Sequence, residues 1–526
     1  MMASPYCVVV ALLLLAGVSR LGEGASNPGF VARITRKGLE YAHQYAMATL
    51  QKELSTINLP DLSGSFGASW MGSVSYEFRS LRIRNFQLGN SSLSLRPGQG
   101  IAVSLSNNYV SVHGNWKVKK AFITLQGTFD VSVGGVSISI SLNLGKDQSG
   151  RPTASVAHCS NSVGHVGIDI SGSLSWLLNL FQERIEHNFK NVLNQKICKM
   201  IMQSTTSHLE PYLRTLPVIL KIDQVAFIDY RLVRAPQVTS KGLDTSFKGK
   251  FFGLGGRHSP VPFNVPPIRL PQEHDLMIYF AVSEYVFNTA SWVYHQAGHM
   301  NFTIRNEHVQ NLTRFFSNHS AKAQWKSSCL TSKDIPFTTM ISCFSSSLLL
   351  HLLQLPLDFP IHLHTTSLGA VIPQLARLYP NMELELEVSP ESAPFFMFTP
   401  GNVTLMPVMN IQAFALLPNS LDRKPLFQLR ARTNISTTIN VSSNRIQGSL
   451  TPGSKLKLEL IHSNINYFNV QSMESILNYY ATHIIYPSLN EKLEEGFPLP
   501  LPRNTYLKGL QLQIHKNFLL LGANIE

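Results

Sequence analysis

A chain of 526 residues exceeds one ordinary hydrophobic core, so two domains of roughly 200 to 250 residues each are expected. With 44% hydrophobic and only 14% charged residues, it cannot be a disordered chain and has few charges to solvate its surface. The formal charge of +13 is lopsided: residues 1–250 hold 25 Lys+Arg against 14 Asp+Glu, and the remainder holds 19 against 17. The basic half therefore suits an anionic partner.

Residues 1–24 read as an export signal. Cys7 to Val18 is a nearly unbroken apolar run, too short to span a bilayer, with small residues at Gly22 and Gly24 before the cut. The mature protein is expected to be secreted and extracellular, which makes nucleic acid a poor partner and anionic lipid or glycan a better one. Sequons begin at Asn90, Asn301, Asn311, Asn318, Asn402, Asn434 and Asn440, as in a secreted glycoprotein. Cys159, Cys198, Cys329 and Cys343 remain after the signal, enough for one or two stapling bonds.

Asn27-Pro28 offers a helix cap followed by proline, and Val31, Ile34, Ala42, Tyr45, Leu50 and Leu54 approximate a 3.6-residue period. This predicts an amphipathic helix of some 25 residues from Asn27. Ile101, Val103 and Leu105, then Phe129, Val131 and Val133, then Val136, Ile138, Ile140, Leu142 and Leu144 alternate with small or polar residues. Such alternation predicts antiparallel strands with one apolar face. A second long helix is predicted from about Leu174 to His208.

Residues 252–272, rich in Gly and then Pro, read as a linker between domains at 25–251 and 273–526. The plan then repeats: a helix around Ser283 to Gln296, strands at Met382 to Val388 and Leu456 to Leu460, and a helix from about Gln471 to Glu495. Leu193-Asn194-Gln195-Lys196 echoes Leu489-Asn490-Glu491-Lys492, which suggests duplication.

No zinc helix, nucleophile elbow or phosphate loop is present, so an enzyme such as a lipid hydrolase is the weaker hypothesis. His362 and His364 lack further ligands nearby in sequence and read as a surface strand. The segment that carries chemistry is Asn115 to Phe122. Lys117 and Lys119 share one strand face, Lys120 extends the charge toward the turn or the other face, and Trp116 and Phe122 bracket them with aromatic area. Cations among aromatics suit a ligand with anionic head groups and apolar tails. The same residues also suit a solvated edge strand that uses lysine to deter aggregation, and the residues alone leave both open.

The runs NPGFVARITRKGLEYA, WKVKKAFITLQGTFDVSV, WLLNLFQERIE, YVFNTASWVYHQAG, GFPLPLP and QIHKNFLLLGANI resemble the bactericidal/permeability-increasing and lipid-transfer protein family, across nearly all of Asn27 to Ile525. The resemblance implies an α+β fold: an elongated boomerang of two similar domains, each a long helix wrapped by a strongly twisted antiparallel sheet, joined by a central sheet. It implies an apolar pocket in each domain that holds a phospholipid, and no other cofactor, metal or catalytic residue. In the endotoxin-binding branch it implies a carrier that binds lipid A of bacterial lipopolysaccharide at the N-terminal tip. Such a carrier meets the Gram-negative outer membrane and passes its cargo to a co-receptor through the C-terminal domain. A bactericidal membrane-permeabilising protein or a general phospholipid transfer protein is the alternative.

Lys119 and Lys120 fall on the family's basic pair, and Cys159 and Cys198 on its disulfide. Two departures stand out. Leu62 to Phe78 lacks the basic residues of relatives and offers Trp70 and Met71 instead. Residues from about Gln310 to Leu355, with Trp325, Cys329 and Cys343, have no counterpart in the family pattern and read as an atypical insertion whose deletion preserves secretion and stability.

Overall fold

The start of the chain departs from its local periodicity. The computed structural model describes residues 27–525 except 69–71, 171–174, 273–274, 306–362, 419–421, 443–444, 483–485, 496 and 499–506. Within it Phe30–Thr35 is a strand, β1, where the apolar spacing predicts helix. Its partners are Gly242–Phe247 on one side and Ile278–Ser283 on the other, both far away in sequence. Pairing on both edges satisfies the backbone of these six residues and overrides the local pattern. The helix begins only at Arg36 and runs to Ser55. Thr35, not Asn27, is its cap: the Thr35 hydroxyl accepts from the Gly38 N–H at 3.3 Å and donates to the Leu276 carbonyl at 2.7 Å.

The same unit recurs after the linker. Strand Ile278–Ser283 leads into helix Glu284–Gln296, and the Ser283 hydroxyl accepts from the Tyr285 N–H. The two capped units meet through their strands, with Phe30 opposite Val282 and Ile34 opposite Ile278, antiparallel. This is a firmer mark of duplication than the four-residue echo. The central sheet runs Gln237–Val238, Gly242–Phe247, β1, Ile278–Ser283, Phe518–Ile525, Leu507–His515, and so draws strands from both halves.

In the first half, strands β2 (Leu62–Ala68), β3 (Gly72–Gln87), β4 (Asn90–Arg96), β5 (Gly100–Lys120), β6 (Ile123–Lys146), β7 (Pro152–Ser162) and β8 (Val166–Ile170) form one sheet. The expected alternation holds in β6: Phe129, Val131, Val133, Val136, Ile138 and Ile140 are all buried. The first three are out of phase with the last three by one residue. Two facing bulges reconcile them. Leu105 lies opposite Ile138, Asn108 opposite Val136 and Val110 opposite Val133, so one extra residue on β5 is followed by one extra on β6. Asn107 and Gly135 take up the kinks with φ of +57° and +66°. Buried Asn108 braces the bend, donating to the Val136 carbonyl at 2.7 Å and accepting from the Gly89 N–H at 2.9 Å.

Helix Ser175–Ser204 packs against the buried face of this sheet. Phe189, Leu193, Ile197 and Ile201, four residues apart, form one stripe and pack with Leu54 of the first helix into the sheet's core. The predicted start at Leu174 lies outside the described residues. At the other end the helix gives way to a π turn, Thr205–Leu209, and a short helix, Glu210–Thr215. Cys159 on β7 and Cys198 on the long helix are disulfide-bonded, with Cα atoms 5.7 Å apart, and fasten sheet to helix.

The second half has two further antiparallel sheets, and one of them carries both predicted strands, as Glu383–Pro390 and Lys457–Ser463. The late helix is in two pieces, Gln471–Tyr480 and Tyr486–Glu495. Pro487 sits in the first turn of the second piece, where its missing N–H leaves no bond unmade. Beyond Phe252, which ends the strand Lys250–Phe252, the Gly/Pro linker has no strand or helix as far as Gln272 but is tied down. Phe263 packs edge-on against Tyr285 and Phe395, and the Lys250 ammonium donates to the carbonyls of Arg257 and Ser259. The whole 310–355 segment, with Trp325, Cys329 and Cys343, lies outside the described residues.

Candidate functional site

β5 and β6 are the longest strands of the first sheet, and the two-residue turn Ala121-Phe122 joins them. Lys120 pairs with Ile123 and Lys119 with Thr124 across this hairpin, and Lys119 also lies opposite Ser75 of β3. A two-residue hairpin needs a positive φ, and Ala121 supplies it at +48°, an uncommon conformation for a residue with a Cβ. Phe122 is fully exposed and Ile123 is 61% exposed. Two large apolar side chains thus stand in solvent at the end of a strand pair whose other apolar residues are mostly buried.

Strand parity sorts the lysines. Val118 and Trp116 are buried on the inner face, which places Lys117 and Lys119 on the outer one. Lys120 has inner-face parity but sits beyond the core at the rim, half exposed. Lys119 and Lys120 therefore straddle the last turn of the strand. Among the described residues neither they nor Lys117 meets a carboxylate. Together they give the tip an unneutralised positive charge beside an apolar end.

Trp116 corrects the sequence reading. It is 3% exposed and belongs to the core, on the face opposite Lys117 and Lys119, so the lysines are not bracketed by two aromatics. Its ring lies over Gly127, where a Cβ would come within 2.9 Å of the indole nitrogen. Phe122 alone of the two reaches solvent. Trp70 and Met71, which come between β2 and β3 in the chain, lie outside the described residues.

Asn90, Asn301, Asn434 and Asn440 are exposed. Asn402 is not free: its amide donates to the Ser436 hydroxyl at 3.2 Å and its carbonyl oxygen is buried. Expressed in glycosylating cells, Asn→Gln variants at the four exposed sites should each lose one glycan's mass, while Asn402→Gln should not. A mass loss at Asn402 would show that this side chain turns outward before folding is complete. Asn311 and Asn318 lie outside the described residues.

A separate cavity of about 430 Å³ lies between the linker and helix Glu284–Gln296, lined by Phe251, Phe252, Leu254, Val261, Trp292 and Val293. Burial, with neighbouring Lys248 adding to it, holds the Lys250 ammonium at its wall below the usual range. Among the described residues no group of His, Cys, Asp and Glu could hold a metal ion, and no helix is long and apolar enough to cross a membrane. His364 bonds Thr366; His362 lies outside the described residues.

The profile of the N-terminal domain of the LBP / BPI / CETP family matches residues 38–212, and that of its C-terminal domain matches 220–322 and 334–526. The chain belongs to this family. It is 44% identical to the lipopolysaccharide-binding protein of Homo sapiens, over 99% of this chain and 97% of that one. It is 43% identical to the Bos taurus protein of that name and 34% identical to the bactericidal permeability-increasing protein of Rattus norvegicus, each over 98% of this chain and 97% of the relative. A crystal structure of lipopolysaccharide binding protein is similar to it with a TM-score of 0.57 and 39% identity, covering 95% of this chain and 99% of that one. As in that structure, the fold of this LBP / BPI / CETP family member is an α+β boomerang of two domains joined by the central sheet. The chain is a non-enzymatic member of a lipid-binding family. The family's C-terminal profile matches 310–322 and 334–355 and omits 323–333, so most of the segment read as an atypical insertion does have a counterpart in the family.

Proposed function

We propose that this chain is a secreted carrier that binds lipid A of bacterial lipopolysaccharide at the Ala121-Phe122 tip and passes it to a co-receptor through its C-terminal half. The observation that carries this reading is the tip itself: among the described residues Lys119 and Lys120 stand without carboxylate partners beside Phe122 and Ile123. Relatives named for lipopolysaccharide binding, similar over nearly the whole chain, support it. A lipid with phosphates near its sugars and acyl chains beyond them matches that order of charge and apolar surface.

Magnitudes divide the work. Burying one twelve-carbon acyl chain is worth about 10 kcal/mol, at roughly 0.8 per methylene. A charged hydrogen bond contributes about 1.5–3 kcal/mol. Tails dominate the gross affinity, but every lipid has tails, so the lysines select among lipids and speed encounter. Resident phospholipid in each domain is part of the same proposal.

Mass spectrometry of lipids extracted from the purified protein, beside direct binding of lipid A, tests this reading. Saturable lipid A binding without loss of viability of Gram-negative cells supports a carrier. Killing of those cells would favour the membrane-permeabilising alternative, and binding of phospholipid alone the general transfer protein. Phe122→Ser should weaken lipid A binding by about 1.5–3 kcal/mol, the transfer value of one phenylalanine, without lowering the unfolding midpoint. Unchanged binding would remove the apolar tip from the site.

A further inference from the structure

The tip is one end of a longer surface. On the outer face of β3, β5 and β6 the cross-strand register continues from Lys119 to the row Glu77–Lys117–Gln126, then to Arg79 beside Asn115, then to Arg82 beside His113. Arg79 and Arg82 are exposed, as are Asn115 and Gln126. Arg79 pairs with Glu77 at 2.7 Å, whereas Arg82 meets no carboxylate among the described residues. The row ends at Asp130, which faces His113 at 2.9 Å and Arg84 at 3.3 Å. From Lys119 to His113 the strand advances roughly 20 Å, and three strands make the face roughly 10 Å wide.

Chemistry changes along this face in one direction. The tip is apolar, the next two rows carry Lys119 and Lys117, and the rows beyond set Arg79 beside Asn115 and Arg82 beside His113, with the carboxylates of Glu77 and Asp130 each already held by a neighbouring cation. No large apolar side chain on them is exposed, so acyl chains gain nothing there. Planar guanidinium groups suit phosphate, and side-chain amides suit sugar hydroxyls. We infer that this outer face binds the phosphorylated oligosaccharide that continues from the lipid A head group of an endotoxin molecule. The inference rests on the proposed lipid A site and adds a second, saccharide-reading part to it. The lipid's order of tails, phosphates and sugars then runs along the sheet in the same order as the side chains.

The test compares two probes on the full chain: lipid A, and lipopolysaccharide that carries a phosphorylated core but no long polymer. Arg79→Ala with Arg82→Ala should lower affinity for the core-bearing probe on the order of tenfold and leave lipid A affinity within about twofold. Unchanged lipid A binding also reports that the variant is folded. Equal losses for both probes, or no loss for either, would overturn the inference. So would an equal loss on vesicles of phosphatidylglycerol, which carry charge without saccharide, because the face would then be a contact with a bilayer. Failure of the unsubstituted chain to bind lipid A would instead overturn the proposed function beneath it.

Discussion

Replacing Lys119 and Lys120 together by glutamate should reduce lipid A binding by at least about a hundredfold at physiological salt, with the fold intact. Both residues lie at the hairpin rim outside the core, and among the described residues neither has an ion pair to lose. The change removes two attractions and sets two like charges against the lipid's phosphates, which costs several kcal/mol. Because the two straddle the strand, a single substitution leaves one cation at the turn and should cost less than half of the pair's effect. Binding of the unsubstituted protein should weaken as salt rises, and the double variant should show a flatter dependence. Equal binding by both proteins would move the site away from this hairpin.

Removing the Cys159–Cys198 bond by a double change to alanine should lower stability by about 4 kcal/mol in the chain-entropy account of a loop of this size. The bond spans 39 residues and joins β7 to the helix that carries Phe189, Leu193 and Ile197 into the sheet. Without it, sheet and helix are held by packing alone. The loss should appear as a lower denaturant midpoint for the first half, with lipid A binding retained below that midpoint. A shift worth less than about 1 kcal/mol would mean that the reduced chain already keeps these two elements together.

Much of the sheet was legible because period-two alternation is a local signal: the apolar sets of β5 and β6 point inward where the alternation puts them. Helix Glu284–Gln296 was legible too, as a stretch around Ser283 to Gln296, although its Ser283 cap came only with the structure. β1 was not, because its extended form depends on two partner strands far along the chain. Trp116 was legible and was misread: its odd spacing from Lys117 and Lys119 already put it on the other face. Nearness in sequence suggested a bracket that parity forbids. Arg79 and Arg82 escaped for a different reason. Their place beside Asn115 and His113 depends on a bulge at Ser80, where φ is +55° and the N–H bonds the Asp61 carboxylate at 2.9 Å. No local pattern gives that register.

The facing bulges of β5 and β6 have a consequence for how this sheet can change by insertion and deletion. The extra residue near Asn107 and the extra residue near Gly135 cancel, so the pairing on the tip side of the bend has the same register as the pairing behind it. Deleting either one alone would slip the strands by one position on one side of the bend and turn a whole apolar set outward. Deleting both would restore the register and leave a straighter sheet. Each deletion should be harmful alone and the pair tolerated, so lineages that lack this bend should have lost both residues together. An alignment position with only one of the two would mark a chain that has lost its tip.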